Sequence, residues 1–324
     1  MIRSLAKPLC HLALGVAALA ASLAQAFPNG SVSIVVPFPP GGPVDTMARL
    51  VGEKMAASLD VPVVIENRPG AGGNVGSSYV ARAKPDGQTL LMASGSIMTM
   101  NEHIYAKLPF SPADDLTTVT VVGDMPLIVA VNPQVPVANM ADLVALAKAK
   151  PQEVFFSSPG NGTTPHAGAA LFNRETGTNT THVPYKGGAA SGTAVIAGEV
   201  TGAIDSPPAL LPHIQSGRIK ALAIAGPERL PQLPDVPTTA EVGLPGINVV
   251  SWFPLVAPKD TPPEVLERIH QEVAKALQDP GVRERFNALA IRPVGNSVAD
   301  ANRFTADERQ RWGEVIRAAN IRIE

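Results

Sequence analysis

Short, nearly continuous apolar runs alternate along most of the chain with segments whose apolar residues recur every three or four positions. SVSIVV (31–36), VPVVIE (61–66), QTLLMA (88–93), LIVAV (127–131), EVFFSS (153–158), VTGAID (200–205) and IKALAIA (219–225) have the length and composition of strands. Continuous rather than alternating apolarity predicts strands buried on both faces. Between them, Met47, Leu50, Val51, Met55 and Leu59 mark one face of a helix over 45–59, and further helices are expected over 139–150 and 207–216. The spacing predicts an α/β fold with a mainly parallel sheet. A helix start is also expected at Thr261-Pro262-Pro263-Glu264, with Thr261 as cap, proline at the first helical position and Val265, Ile269, Val273 and Leu277 as its buried stripe.

Regular pattern lapses at Asn132-Pro133-Gln134-Val135-Pro136 and again in GPERLPQLPDVPTTAEVGLPG (226–246). These are the expected neighbourhoods of chain crossings between two lobes, with lobe 1 formed by 27–124 and 246–324 and lobe 2 by 125–245. In such folds a ligand sits at the carboxyl ends of the strands, between the lobes.

The first 26 residues add an address to this picture. Arg3 and Lys7 precede a short apolar stretch, and Ala24-Gln25-Ala26 has the small-x-small form of an export cleavage site. Cleavage after Ala26 and a periplasmic location are expected. Cys10, the only cysteine, falls in this segment, so disulfides, cysteine nucleophiles and cysteine metal sites are excluded from the 298 residues that follow it. Losing Arg3 and Lys7 moves the formal net charge from −2 to −4, and no basic block occurs elsewhere, which argues against nucleic acid as a partner. With 45% hydrophobic and 17% charged residues the chain is globular.

The candidate chemistry lies where strand runs empty into glycine-rich corners before helices. A strand ending at Val36 delivers Pro39, Pro40, Gly41 and Gly42 to a sheet edge, with a helix starting near Val44 and Asp45 in its first turn. The unpaired N–H groups and partial positive charge of a helix start can hold an anion without Arg or Lys. The same logic recurs at Ser94, Gly95 and Ser96, and at Ser157, Ser158, Gly160, Gly162, Thr163 and Thr164. It recurs again at Tyr185, Lys186, Gly187 and Gly188, and Asp205 places a carboxylate at another strand's end. His166 is open between a general base or metal ligand and a hydrogen-bonding structural residue. Lys186 is open between a ligand contact and a solvated surface charge.

Other chemistries fit less well. The cluster NRPGAGGNVGS (67–77) fails as a dinucleotide fingerprint, because counting from Gly70 the third glycine falls on Val75; a flexible connector is expected there. No G-x-S-x-G or His-Glu-x-x-His occurs, and neither a metal nor a cofactor is expected. An exported hydrolase using Ser94, His166 and Asp205 is the enzymatic alternative.

VPFPPGGPVDTMAR, VVIENRPGAGGNVGSSYVARAKPDGQTLL, HVPYKGGAAS and LPDVPTTAEVGLPG together resemble the substrate-binding proteins of tripartite tricarboxylate transporters, the Bug family. The resemblance runs through essentially the whole chain after residue 26. It implies a two-lobe Venus-flytrap fold of the periplasmic binding protein type, monomeric, that takes a small carboxylate in its cleft and hands it to a membrane permease. It also implies that main-chain N–H groups, small hydroxyls and ordered waters hold the ligand at 39–45, 94–96, 157–164, 185–188 and Asp205. A periplasmic sensor serving a signalling receptor shares that binding chemistry. The chain departs from the family's usual pattern at Ala170, where members often carry Glu, at Asn101-Glu102, where Asn-Pro is common, and at Pro254.

Overall fold

The computed structural model describes residues 27–322; the proposed address segment, Cys10 and the cleavage site lie outside the described residues. Strands β1 (Val32–Val36), β2 (Val63–Asn67) and β3 (Thr89–Met92) lead into the long β4 (Leu116–Val131). These are followed by β5 (Phe155–Ser158), β6 (Thr181–Pro184), β7 (Gly202–Asp205), β8 (Lys220–Ala225), β9 (Val250–Pro258) and the short β10 (Arg292–Pro293). The helices are α1 (Pro43–Leu59), α2 (Asn74–Ala81), α3 (Gly95–Thr99), α4 (Asn101–Ile104), α5 (Met140–Ala149), α6 (Thr164–Thr176), α7 (Gly188–Ala197), α8 (Pro207–Gln215), α9 (Pro263–Ala276), α10 (Pro280–Ala288) and α11 (Val298–Ala318).

The strands join in the order β2-β1-β3-β9-β4-β7-β5-β6, with β8 and β10 also paired to β4. β1 runs parallel to β2 and β3, and β5 runs parallel to β6 and β7. β4 and β9 tie the two groups together. Residues 116–126 of β4 pair antiparallel with β9, while 127–131 pair with β7 and β8. The chain therefore passes between the two parts of the sheet near Pro126 and again near Val250. The two-lobe α/β architecture is the one expected from the sequence, but the sheet is mixed rather than mainly parallel, because β4 and β9 run antiparallel to all their neighbours and join two parallel groups.

Two pieces of this frame escape the apolar-run criterion. The first ten residues of β4, LTTVTVVGDM, are all buried although they include three threonines and Asp124. Side chains from the C-terminal segment satisfy them: the Asn302 amide donates to the Thr118 carbonyl at 2.8 Å, the Val121 N–H donates to Asn296 Oδ1 at 2.8 Å, and Arg292 pairs with Asp124. β9 carries Pro254, which normally counts against a central strand. Here the register shifts between Val121 and Gly123 opposite Pro254 and Phe253, and this irregularity accommodates the missing donor.

Helix α9 starts at Pro263 as expected, but Thr261 is not its cap. Its hydroxyl donates to the Pro258 carbonyl at 2.8 Å, and Pro262 occupies the cap position without a side-chain bond. Val265, Ile269, Val273 and Leu277 are all buried.

Separate apolar clusters fill the two parts. Met47, Met55, Leu90, Leu255, Ile269 and Phe286 belong to the first, and Leu127, Val129, Phe156, Phe172 and Ile204 to the second. The C-terminal helix is shared. Thr305 on α11 bonds Thr118 of β4, yet Trp312, Val315 and Ile316 near its end are buried in the second cluster.

Candidate functional site

Strand direction fixes where the corners lie. β9 leaves the crossing at Val250, and β3 runs against it with Met92 opposite Leu255, so the carboxyl ends of β3 and its parallel neighbour β1 point toward the crossing. β4 enters the second part at Leu127, and β7 runs against it with Asp205 opposite Ile128, so the carboxyl ends of β7, β5 and β6 point back toward the same crossing. The predicted corners of both parts thus lie at strand ends directed toward the crossing where β4 and β9 join the two parts. Among the described residues, a concavity of about 450 Å³ lies at the crossing itself, lined by Asp124, Pro126 and Val250, and neither it nor others of about 420 to 660 Å³ are lined by Pro39–Gly42.

Around β1, Pro39, Pro40 and Gly41 are exposed, and Gly42 is the cap of α1 with Pro43 at its first position. Asp45 is buried and accepts four hydrogen bonds: from the Gly41 N–H at 2.9 Å, from Arg49 at 2.9 and 3.0 Å, and from Asn67 at 2.9 Å. Burial alone pushes its carboxyl up, but the bonds from Arg49, Gly41 and Asn67 outweigh it and hold the group below the ordinary value. Asp45 is therefore engaged as the pin of its own corner. Asn67 completes the clamp by donating to the Phe38 carbonyl at 3.1 Å. Beside it, Ser94 and Ser96 share a hydroxyl bond of 2.9 Å. Gly95 is irreplaceable by any larger residue in this geometry, since a Cβ there would lie 2.4 Å from the Trp252 ring.

The cluster over 70–76 is not the flexible connector expected. Gly70, Ala71, Gly72 and Gly73 all have positive φ, and a Cβ at Gly72 or Gly73 would strike Tyr105 or Ile97. It is a close-packed turn that needs glycine.

In the second part the corners are bound to each other. The Tyr185 N–H donates to the Ser158 carbonyl at 2.9 Å and the Gly187 N–H to the Pro159 carbonyl at 3.0 Å. Ser157 and Ser158 are buried. The Ser191 hydroxyl contacts Ser157 Oγ and Asp205 Oδ2, each at 2.9 Å, and the Ser206 N–H donates to Asp205 Oδ1 at 2.7 Å. Asp205 is fully buried, and that burial pushes its carboxyl up to about 6 against the opposing effect of these bonds. Its side chain is enclosed between strand and helix rather than presented to the crevice. Tyr185 likewise sends its hydroxyl to Glu199, beyond the far end of α7, at 3.2 Å. Lys186 is exposed.

Thr163 caps α6, and its hydroxyl donates to the Gly160 carbonyl at 2.8 Å; Thr164 follows it, buried. The Gly160 N–H is taken by Ser158 Oγ at 3.2 Å and the Gly162 N–H by His166 Nδ1 at 3.2 Å. His166 stacks on His182 with ring centroids 3.7 Å apart, and His182 Nε2 lies 2.6 Å from Ser158 Oγ. Burial lowers His166 to about 4, and burial together with the neighbouring His166 lowers His182 to about 3. Two neutral rings thus brace the 158–164 corner from behind.

Several glycine N–H groups expected to meet a ligand are consequently spent inside the corners: those of Gly41, Gly160, Gly162 and Gly187. The donors that helix geometry leaves over are the first-turn N–H groups of α1, α6 and α7. Sequence reasoning passed over Arg49, Asn67, His182 and Ser191 as positioning residues. His182 and Ser191 stand at the two ends of the motif HVPYKGGAAS, but nothing in the one-dimensional pattern shows which side chains fold back.

The hydrolase alternative loses its geometry. Ser94 bonds Ser96, His166 bonds Gly162, and Asp205 bonds Ser191 and Ser206, so the three have separate partners. Among the described residues no group of three or more His, Cys, Asp or Glu could hold a metal ion, and no helix is long and apolar enough to cross a membrane.

Residues 47–321 match the family described as the tripartite tricarboxylate transporter family receptor. The chain belongs to this family. It is 36% identical to the protein BugT of Bordetella pertussis over 302 residues, 93% of each chain. A solved R. palustris protein with adipate is 34% identical, with a TM-score of 0.82 over 92% of this chain and 100% of that one. MatC from Rhodopseudomonas palustris with bound malate is 33% identical, with a TM-score of 0.79 over 90% of this chain and 100% of that one. Family and fold are those of solute-binding proteins.

Proposed function

We propose that this protein is a periplasmic solute-binding protein that captures a small carboxylate in the inter-lobe crevice and delivers it to the membrane permease of a tripartite transporter. The observation that carries this reading is the convergence of strand ends from both parts on one crossing, which supports a ligand space bounded by the starts of α1, α6 and α7. First-turn N–H groups and helix partial charge at those starts stabilise an anion without a cationic side chain. The adipate and malate held by related structures support a dicarboxylate of similar size.

Capture works by a shift between open and closed lobes, and only a ligand that contacts both lobes makes that shift. Taking the closed fraction from about 1:99 to 99:1 requires roughly 5.5 kcal/mol of differential affinity. Three or four charge-assisted hydrogen bonds of about 1.5–3 kcal/mol each supply this. Asp45, the Ser157–Ser191–Asp205 network and the His166–His182 stack hold the donor frame in place.

Titration calorimetry with adipate, malate, an acidic amino acid and an aromatic acid tests the proposal, with small-angle scattering to follow closure. Saturable heat for at least one acid, together with compaction, is expected. No heat and no compaction across the panel would sink it.

A further inference from the structure

Beside the β1 corner lies a concavity of about 660 Å³ on the first part of the molecule, bounded by α2 and by the segment after α4. Its charged lining residues are Arg68, Arg82 and Lys107, and no carboxylate lines it. That is a local inversion in a chain whose formal charge is negative. Arg68 is paired with Glu66 at 2.9 Å and lies with its guanidinium 3.8 Å from the centre of the Tyr79 ring, so the cations presented to a partner are the exposed Arg82 and Lys107. Val75 and Tyr79 are two of six large apolar side chains left exposed among the described residues, at 52% and 44%. Four positions apart on α2, they share one helix face.

The backbone adds an independent sign. Ala71, which lines the same concavity, has φ +46°, a conformation a non-glycine residue rarely adopts. Such outliers concentrate at sites that bind or switch. The concavity also adjoins the β1 corner, since the Arg68 N–H donates to the Val36 carbonyl at 2.8 Å. A surface next to the crevice mouth is where a permease receiving the solute has to approach.

We infer that this concavity is a docking surface for an acidic peptide segment with an apolar anchor, presented by a membrane subunit of the transporter. The inference rests on the proposed delivery function. Carboxylates of the segment meet Arg82 and Lys107, and its anchor covers Val75 and Tyr79. Complementary charge of this kind speeds encounter and weakens with salt.

Binding to the purified membrane subunits in nanodiscs of neutral lipid tests it, with empty nanodiscs alongside. Combined Arg82→Glu and Lys107→Glu should weaken binding at least about tenfold and flatten its dependence between about 50 and 300 mM salt. Tyr79→Ala should weaken it by about three- to tenfold. Combined Lys148→Glu and Lys259→Glu, the same charge change on exposed residues elsewhere, should leave it within about twofold. Retained calorimetric affinity for adipate or malate shows that each variant is folded. A wild-type protein that binds the subunits, with the Arg82/Lys107 variant binding equally well, overturns the docking surface and leaves the delivery function standing. Equal weakening by the Lys148/Lys259 variant, or equal binding to empty nanodiscs, also overturns it. A wild-type protein that fails to bind the subunits overturns the delivery function and the docking surface together.

Discussion

The corner after β1 is pinned by a carboxyl that stays charged, whereas the corners after β5 and β7 are pinned by one that burial drives toward neutrality. Asp45 meets Arg49, whose side chain is 52% exposed, so the pair keeps access to water. Asp205 meets only hydroxyls and one main-chain N–H in a site closed to solvent. The same residue type, at two corners that look alike in sequence, therefore contributes with opposite sensitivity to pH. The difference shows that a strand-to-helix corner can be supported by an ionic or a buried hydroxyl-bonded pin, according to how deeply the pin is buried.

The sharpest way to break this contrast is Asp45→Ala. Losing four hydrogen bonds, three of them from side chains, should cost about 2–4 kcal/mol in urea unfolding near neutral pH. A loss below about 0.5 kcal/mol would show that the prolines alone hold the corner.

Next in size is the pH response. Asp205 has a folded value near 6 against an ordinary 3.8, so its stabilising contribution is complete below 3.8 and disappears as pH rises through 6. Asp205→Asn should therefore gain about 2–3 kcal/mol relative to the unaltered protein between about pH 4 and pH 8. Asp45, held below 3.8, behaves oppositely: its contribution is present above 3.8 and fades as pH falls further. Parallel unfolding curves for Asp45→Asn and Asp205→Asn across this range would contradict the assignment of one lowered and one raised carboxyl.

The histidine stack gives a smaller effect with its own window. His166 and His182 are lowered, so their contribution is present above about 6.5 and is lost as pH falls toward 4. His182→Ala should cost about 1–2 kcal/mol near neutral pH through the lost Ser158 bond and ring stack. It should also remove part of the acid sensitivity, as seen by following thermal unfolding below pH 6.5.

A last effect, of the same size as the histidine one, is shared by both corners. Gly41 and Gly187 have φ of +90° and +96°, and nothing lies within 4 Å of a Cβ added to either. Alanine at each should cost about 1–2 kcal/mol from backbone strain alone, with similar values at the two sites. A large inequality in calorimetric or unfolding data would mean that one of the corners rearranges.

Much of the frame was legible from apolar runs and caps: β1, β3, β5, β7 and β8, α1, and the buried stripe of α9. The first half of β4 and all of β9 were not, although they join the two parts. The threonines and Asp124 look unfavourable until Asn296, Asn302 and Arg292, about 170 to 185 positions away, supply partners, and Pro254 until the register shift opposite it is seen. Of the predicted ligand residues, the sequence located every corner but not the direction of any side chain. Tyr185 turns toward Glu199 and Asp205 toward Ser191 because of what packs around them.

What the sequence by itself determined is the set of positions where strands end in glycine and proline before a helix, since backbone freedom and helix starts are local properties. Tertiary structure alone decided which of those N–H groups remain unspent, which carboxyl burial pushes up and which its partners hold down, and that corners of both parts lie at strand ends directed toward one crossing. Those outcomes depend on burial and on partners distant in the chain, and local residue preferences carry no record of either.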